Sequence, residues 1–157
     1  MKKKLEGALG LEGQPVKRGT MAHDHIVYMM LADAAAQARD LAGLQQYAPL
    51  LEELARRDDH QPYLAVAGRA WGVAHTLAGR YDEAQSRLQE ALEIFEGLNA
   101  RWQIGRTRAE LAQLARARGD EDAAEAHFAA ALAEFEALGA VPDFERTRSS
   151  SQQKTEN

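Results

Sequence analysis

The residue types that most often carry chemistry are sparse in this sequence. There are five histidines and no cysteine. His23 and His25 flank Asp24, and on a helix an i, i+2 pair points its rings to different sides, unlike the i, i+4 pair of a zinc helix. No metal site is expected there. His75 reads as a packed residue rather than a catalytic one, and His60 and His127 sit at exposed-looking positions. Without cysteine the chain has no disulfide, no thiolate ligand and no thiol nucleophile, which fits a reducing compartment and makes the cytoplasm the expected location. The sequence holds no glycine-rich phosphate loop, nucleophile elbow or HExxH run, and no pair of carboxylates isolated in an apolar setting. The expectation is a non-enzyme with no cofactor. Trp71 and Trp102 could form a ligand-stacking pair, but Trp71 reads as a core residue and Trp102 as cover for the seam between the second and third of three helical hairpins.

The elements that position these residues follow from composition and period. The chain has 157 residues, 45% of them hydrophobic and only 6% aromatic, enough for one modest core. Ala, Leu, Glu, Arg and Gln dominate the middle of the chain, so an all-α fold is expected. The net charge of −5 disfavours phosphate backbones and anionic lipid, hence no nucleic acid and no membrane partner. Lys2, Lys3 and Lys4 imitate the start of a secretory signal, but the glycines and glutamates that follow break any apolar run. Residues 1–20 therefore read as a flexible leader, native or added, with Met21 an alternative native start. Residues 21–148 read as the folded domain, and the serine-rich stretch 149–157 as a disordered tail. Apolar spacing predicts helices at about 22–38, 41–57, 62–78, 81–97, 101–117 and 121–138, with Gly79 and Gly119 as helix stops. Pro49 predicts a late start or a kink in the second helix.

The strongest signal is internal. Gly79-Arg80-Tyr81-Asp82-Glu83-Ala84 aligns with Gly119-Asp120-Glu121-Asp122-Ala123-Ala124 at an offset of 40 residues. The register continues as Leu88 with Phe128, Ala91-Leu92 with Ala131-Leu132, and Phe95-Glu96 with Phe135-Glu136. Arg106-Thr107-Arg108 recurs as Arg146-Thr147-Arg148. A weaker echo upstream pairs Leu31 with Trp71 and Leu111, and Ala32 with Gly72 and Ala112. Three helical hairpins result, and each must stack on its neighbours to bury an apolar face it cannot bury alone.

In Trp71, Gly72, Gly79, Tyr81, Ala84, Leu88 and Ala91 the second hairpin resembles the tetratricopeptide repeat family. The third repeats the pattern in Leu111, Ala112, Gly119, Ala124, Phe128 and Ala131, with Glu121 in place of the aromatic. In the first, Leu31, Ala32, Ala35 and Leu41 fit, while Arg39 replaces the glycine and Leu44 an alanine. The 40-residue spacing exceeds the usual unit of about 34 and is similar to the longer units of large bacterial regulatory and signalling proteins. The resemblance implies an α-solenoid, a right-handed superhelical stack whose first helices line a concave groove.

It also implies where a partner would sit. The positions carried over to the groove wall are Met29, Asp33, Arg69, Val73, Thr76, Arg106, Ala109, Gln113 and Arg116. Taken as exposed, the three arginines suit carboxylates, because guanidinium offers two parallel hydrogen bonds. The fifth helix carries Arg101, Arg106, Arg108, Arg116 and Arg118 against a single Glu110. The expected partner is a protein or peptide, acidic or ending in a free carboxylate. The bland alternative makes these arginines a solvated face neutralised by nearby glutamates. The expected function is a protein-binding scaffold. One alternative is a ligand- or peptide-responsive module of a larger signalling or transcription-regulating protein. A further one is a homo-oligomeric adaptor joined through its stack ends, with Phe144 and Arg146-Thr147-Arg148 opening a capping helix that the serines cut short.

Overall fold

Six helix ends share one backbone device, and its spacing sets the architecture. A computed structural model describes residues 22–153. In it Arg39, Asp59, Gly79, Asn99, Gly119 and Gly139 all take positive φ, one every 20 residues. At each, the next residue's N–H reaches back five residues, as from Asp40 to the Ala35 carbonyl (2.9 Å) and from Ala140 to that of Phe135 (2.9 Å). This left-handed helix stop satisfies carbonyls that would otherwise be orphaned, and it reverses the chain within three residues. Glycine fills three of the six positions. Arginine, aspartate and asparagine fill the others.

Between the stops run seven helices among the described residues: α1 (Ala22–Gln37), α2 (Leu41–Arg57), α3 (Gln61–Leu77), α4 (Tyr81–Gly97), α5 (Arg101–Ala117), α6 (Glu121–Leu138) and α7 (Val141–Gln152). Starts are fixed by side-chain acceptors where the sequence supplies them: Asp40 for the Gly43 N–H (3.0 Å), His60 Nδ1 for that of Tyr63 (3.2 Å) and Asp120 for that of Ala123 (3.1 Å). Pro49 neither delays nor ends α2, which runs unbroken from Leu41. The proline lies on the exposed side, where the carbonyl it leaves unbonded can be hydrated.

Each helix packs on the next, and α3 also packs on α1 and on α5. The first helices thus form one continuous inner layer, with the second helices outside. The repeat register becomes the core: Leu44, Ala84 and Ala124 are buried at one level of the outer helices, Ala48, Leu88 and Phe128 at the next, then Leu51, Ala91 and Ala131, then Ala55, Phe95 and Phe135. Small residues opposite large ones let the layers approach. A methyl group at Gly72 would stand 2.5 Å from the Leu88 side chain, and one at Gly105 would stand 2.8 Å from the Phe135 ring. This is the all-α repeat solenoid the sequence predicts.

Two expectations need correction or restriction. Residues 149–152 are not a disordered tail: α7 continues through the serines to Gln152, because Arg116 donates to the Ser150 carbonyl (2.7 Å) and the Ser151 carbonyl (3.1 Å). A partner 34 residues upstream holds a segment that has little of its own to bury. The expected leader at 1–20 lies outside the described residues, as do residues 154–157.

Glycine substitutions separate backbone conformation from packing. Gly119→Ala has free space but a φ of 82°, and should lower stability by about 1–2 kcal/mol. Gly72→Ala should lower it by about 1–3 kcal/mol through overpacking against Leu88. Gly97→Ala, in the last turn of α4 with open space around it, should raise stability by about 0.5 kcal/mol. Urea unfolding midpoints check all three.

Candidate functional site

Burial changes the meaning of the predicted arginines. Arg69 on α3 is 2% exposed and Arg106 on α5 is 5% exposed, so neither stands free on a groove wall. Both converge on Asp33 of α1. Arg106 grips its carboxylate with two bonds, of 2.8 and 2.9 Å, and the Arg69 guanidinium lies 3.6 Å away. Arg69 also donates to the Gln103 side chain (2.7 Å) and to the Thr107 hydroxyl (3.3 Å) of α5. Beside this cluster Arg39, in the turn after α1, donates to Glu110 of α5 at 2.6 Å. One charged network therefore joins α1, α3 and α5 across three hairpins.

The protonation states follow from burial set against neighbouring charge. Burial alone would raise the Asp33 pKa, but the Arg106 hydrogen bonds and charge, with the Arg69 charge, outweigh it and hold the carboxyl below its usual range. Burial, helped by the Arg106 charge, pushes Arg69 down to about 10, which leaves it protonated at neutral pH. For Arg106 burial works downward too, yet the bonds and charge of Asp33 prevail and the pKa is raised. Burial lowers His75, which is stacked on Trp71, and His127.

The other arginines on α5 and at its C-cap are also engaged. Arg101 donates to Glu134 (2.7 Å), Arg108 lies 3.9 Å from Glu96, and Arg118 pairs with Asp82. Arg116 holds Glu121 (2.9 Å) besides the α7 carbonyls, and its guanidinium lies over the Phe128 ring at 4.9 Å. The reading of Arg69 and Arg106 as exposed is thus corrected, and a solvated face neutralised by glutamates does not describe them either, because both are buried against Asp33. Val73 is core, and Thr76 returns its hydroxyl to the Gly72 carbonyl (2.8 Å). Met29 packs half-buried against the core.

Three predicted positions do come together. Arg106, Ala109 and Gln113 line a cleft of about 260 Å³ whose other walls are Gln37 and Arg39 near the end of α1 and Arg146, Thr147, Ser150 and Gln153 of α7 and its C-cap. Glu110 and Phe128 also face it. The α7 contribution was missed because that helix was read as cut short. The recurrence of Arg106-Thr107-Arg108 as Arg146-Thr147-Arg148 was the signal that could have found it, and Thr147 is buried as Thr107 is. Trp102 covers a seam one hairpin later than expected, donating from Nε1 to Asp143 of α7 at 2.9 Å.

The histidines belong to no metal-holding group among the described residues. His25 is buried with Nε2 2.8 Å from an Asp58 oxygen and stacks on Tyr63, whereas the side chain of His23 lies outside the described part. No group of three or more His, Asp or Glu that could hold a metal occurs among the described residues. None of their helices is long and apolar enough to cross a membrane.

The Asp33 cluster makes a signed prediction. Its folded pKa is depressed, so its contribution is present above the unfolded value and is lost as pH falls through the carboxylate range. Stability should drop on acidification below about pH 4. Asp33→Asn should lose about 3 kcal/mol at pH 7 by leaving two buried guanidiniums short of an anion, and should show a flatter acid limb in urea titrations at stepped pH.

The family assignment joins this geometry from outside. No curated protein and no solved structure matches the chain. The family model described as tetratricopeptide repeat matches residues 63–137, from the start of α3 to the end of α6. Over residues 63–137, with left-handed stops every 20 residues and small residues where helices meet, the chain carries tetratricopeptide repeats.

Proposed function

We propose that this protein is a scaffold that holds a segment of a partner protein in the cleft between α5, α7 and the end of α1. Tetratricopeptide repeats in general mediate protein–protein interaction, and the observation that supports this particular site is the meeting of Arg106, Ala109 and Gln113 with α7 around one cleft. Gln37, Gln113 and Gln153 each offer an amide that can both donate and accept, which suits the carbonyls and N–H groups of an extended peptide. Among the lining residues three arginines face one glutamate, so an acidic segment or a terminal carboxylate is favoured over a basic one. The accessible guanidiniums are those of Arg39 and Arg146, whose side chains are one-third and one-half exposed. Each already has a carboxylate partner, and an acidic guest must share or displace it.

A responsive module is the second reading, supported by the Arg39–Glu110 pair. It lies in the cleft wall and links the first hairpin to the third, so a guest that draws Arg39 away from Glu110 also loosens that link.

Peptides selected from a random library against the protein should be rich in Asp and Glu or end in a free carboxylate. Their affinity should fall about tenfold or more in a Gln113→Ala, Arg146→Glu variant with unchanged helical circular dichroism. Selected peptides that bind this variant as tightly as the parent would remove the cleft from the account.

A further inference from the structure

Apolar exposure is uneven along the edge formed by the turns between hairpins. After α2 that edge carries Asp58, Asp59, Gln61 and Pro62, all exposed and none large and apolar. The positions 40 residues on include Leu98 and Trp102, and the α6–α7 turn presents Leu138 and Val141; these four are among the exposed large apolar residues, Val141 at 63%. At the last turn this edge deepens into a notch of about 220 Å³ between the end of α6 and the start of α7. Phe135, Ala140, Val141 and Phe144 form its apolar surface, and Glu136 and Glu145 belong to its lining.

In the repeat register this notch lies where the end of the second helix of a further hairpin would pack on the start of α7. The preceding hairpins show what such packing needs. Phe135 lies against Gly105 and Leu88 against Gly72, each so close that even a methyl group would collide. The α7 residues at those levels are Glu145 and Gln152, both exposed. A helix seated on α7 as α6 is seated on α5 would drive its large side chain into the Glu145 carboxylate. The notch therefore suits a short segment better than another repeat helix.

Its charge narrows the occupant. The lining holds two carboxylates and no cation, and both glutamates are exposed at the rim of an apolar floor. Arg148, one turn along α7, pairs with Glu145. We infer that this notch docks a short segment of a partner protein in which one large apolar side chain, aromatic or leucine, is flanked by lysine or arginine. The apolar group is buried against Phe135 and Phe144, and the cations meet Glu136 and Glu145. The surface is distinct from the cleft on α5 and α7 and has the opposite charge preference.

The test uses the full chain labelled with ¹⁵N, and as probe an acetylated and amidated pentapeptide of one phenylalanine between two pairs of lysines. Saturable amide shifts should be confined to the end of α6 and the start of α7. Affinity should fall about tenfold or more in a Glu136→Lys, Glu145→Lys variant, in Val141→Glu, and for the peptide with alanine in place of phenylalanine. All three substitutions are at exposed positions, so the fold is retained and the parent's spectrum elsewhere verifies it. Several results would overturn the inference: no saturable shift at millimolar peptide, equal affinity in the charge-reversed variant, equal binding of a glutamate-for-lysine peptide, or shifts centred on Gln113. Concentration-dependent broadening at the notch without peptide would also overturn it, by making a second copy the occupant.

Discussion

Asp33 is where three hairpins meet, and the shape of the inner wall depends on it. Its carboxylate, on the first helix of the stack, takes two bonds from Arg106 on the fifth and the charge of Arg69 on the third. Two guanidiniums that are almost wholly desolvated need that anion, since an unpaired buried charge costs several kcal/mol. A buried ion cluster adds little net stability over a well-packed apolar one. Its value lies in direction. A different curvature of the stack would pull the partners apart and leave charge unpaired in a medium where that is expensive, so the cluster selects one arrangement of hairpins that apolar contacts alone would specify less sharply.

The turns make such a cluster reachable. A left-handed residue every 20 positions fixes where each helix ends and so fixes the register of the next. Asp33, Arg69 and Arg106 sit on successive inner helices at levels that this register brings together. Arg39 has a double part, adopting the left-handed conformation at the first stop and holding Glu110 of α5 with its side chain. Backbone geometry and electrostatics therefore converge on the inner layer of helices. The outer helices supply the mass of the core through Leu88, Phe95, Phe128 and Phe135, each buried side chain contributing about 1.5–3 kcal/mol.

The sequence was most legible where one interaction repeats. The 40-residue offset, the small residues at Gly72 and Ala112 and the helix limits all follow from local period and from steric demands that recur in each hairpin. It was least legible where a residue's environment is set by one distant partner. The family resemblance places Asp33, Arg69 and Arg106 on one inner face, but only the folded chain buries the two arginines against that carboxylate, 36 and 73 residues away. The same holds for the serines of α7, helical because Arg116 caps their carbonyls, and for Trp102, whose partner Asp143 lies 41 residues on. Surface charge read as available proved to be charge already spoken for. The polar cleft is lined by Gln37 and Gln113 and also by Ser150 and Gln153, which local pattern had assigned to a tail.

The most direct measurement of the central claim is the distance distribution between spin labels on exposed Ala42 of α2 and exposed Ser149 of α7, each changed to cysteine in a chain that has no cysteine of its own. If Asp33 locks the hairpins, the parent gives one narrow distribution that 1 M salt leaves unchanged, because the cluster is shielded from the screening that weakens exposed pairs, and Asp33→Asn broadens it. A broad distribution in the parent, or one that Asp33→Asn leaves as narrow as before, would contradict the account and assign the shape of the stack to apolar packing alone.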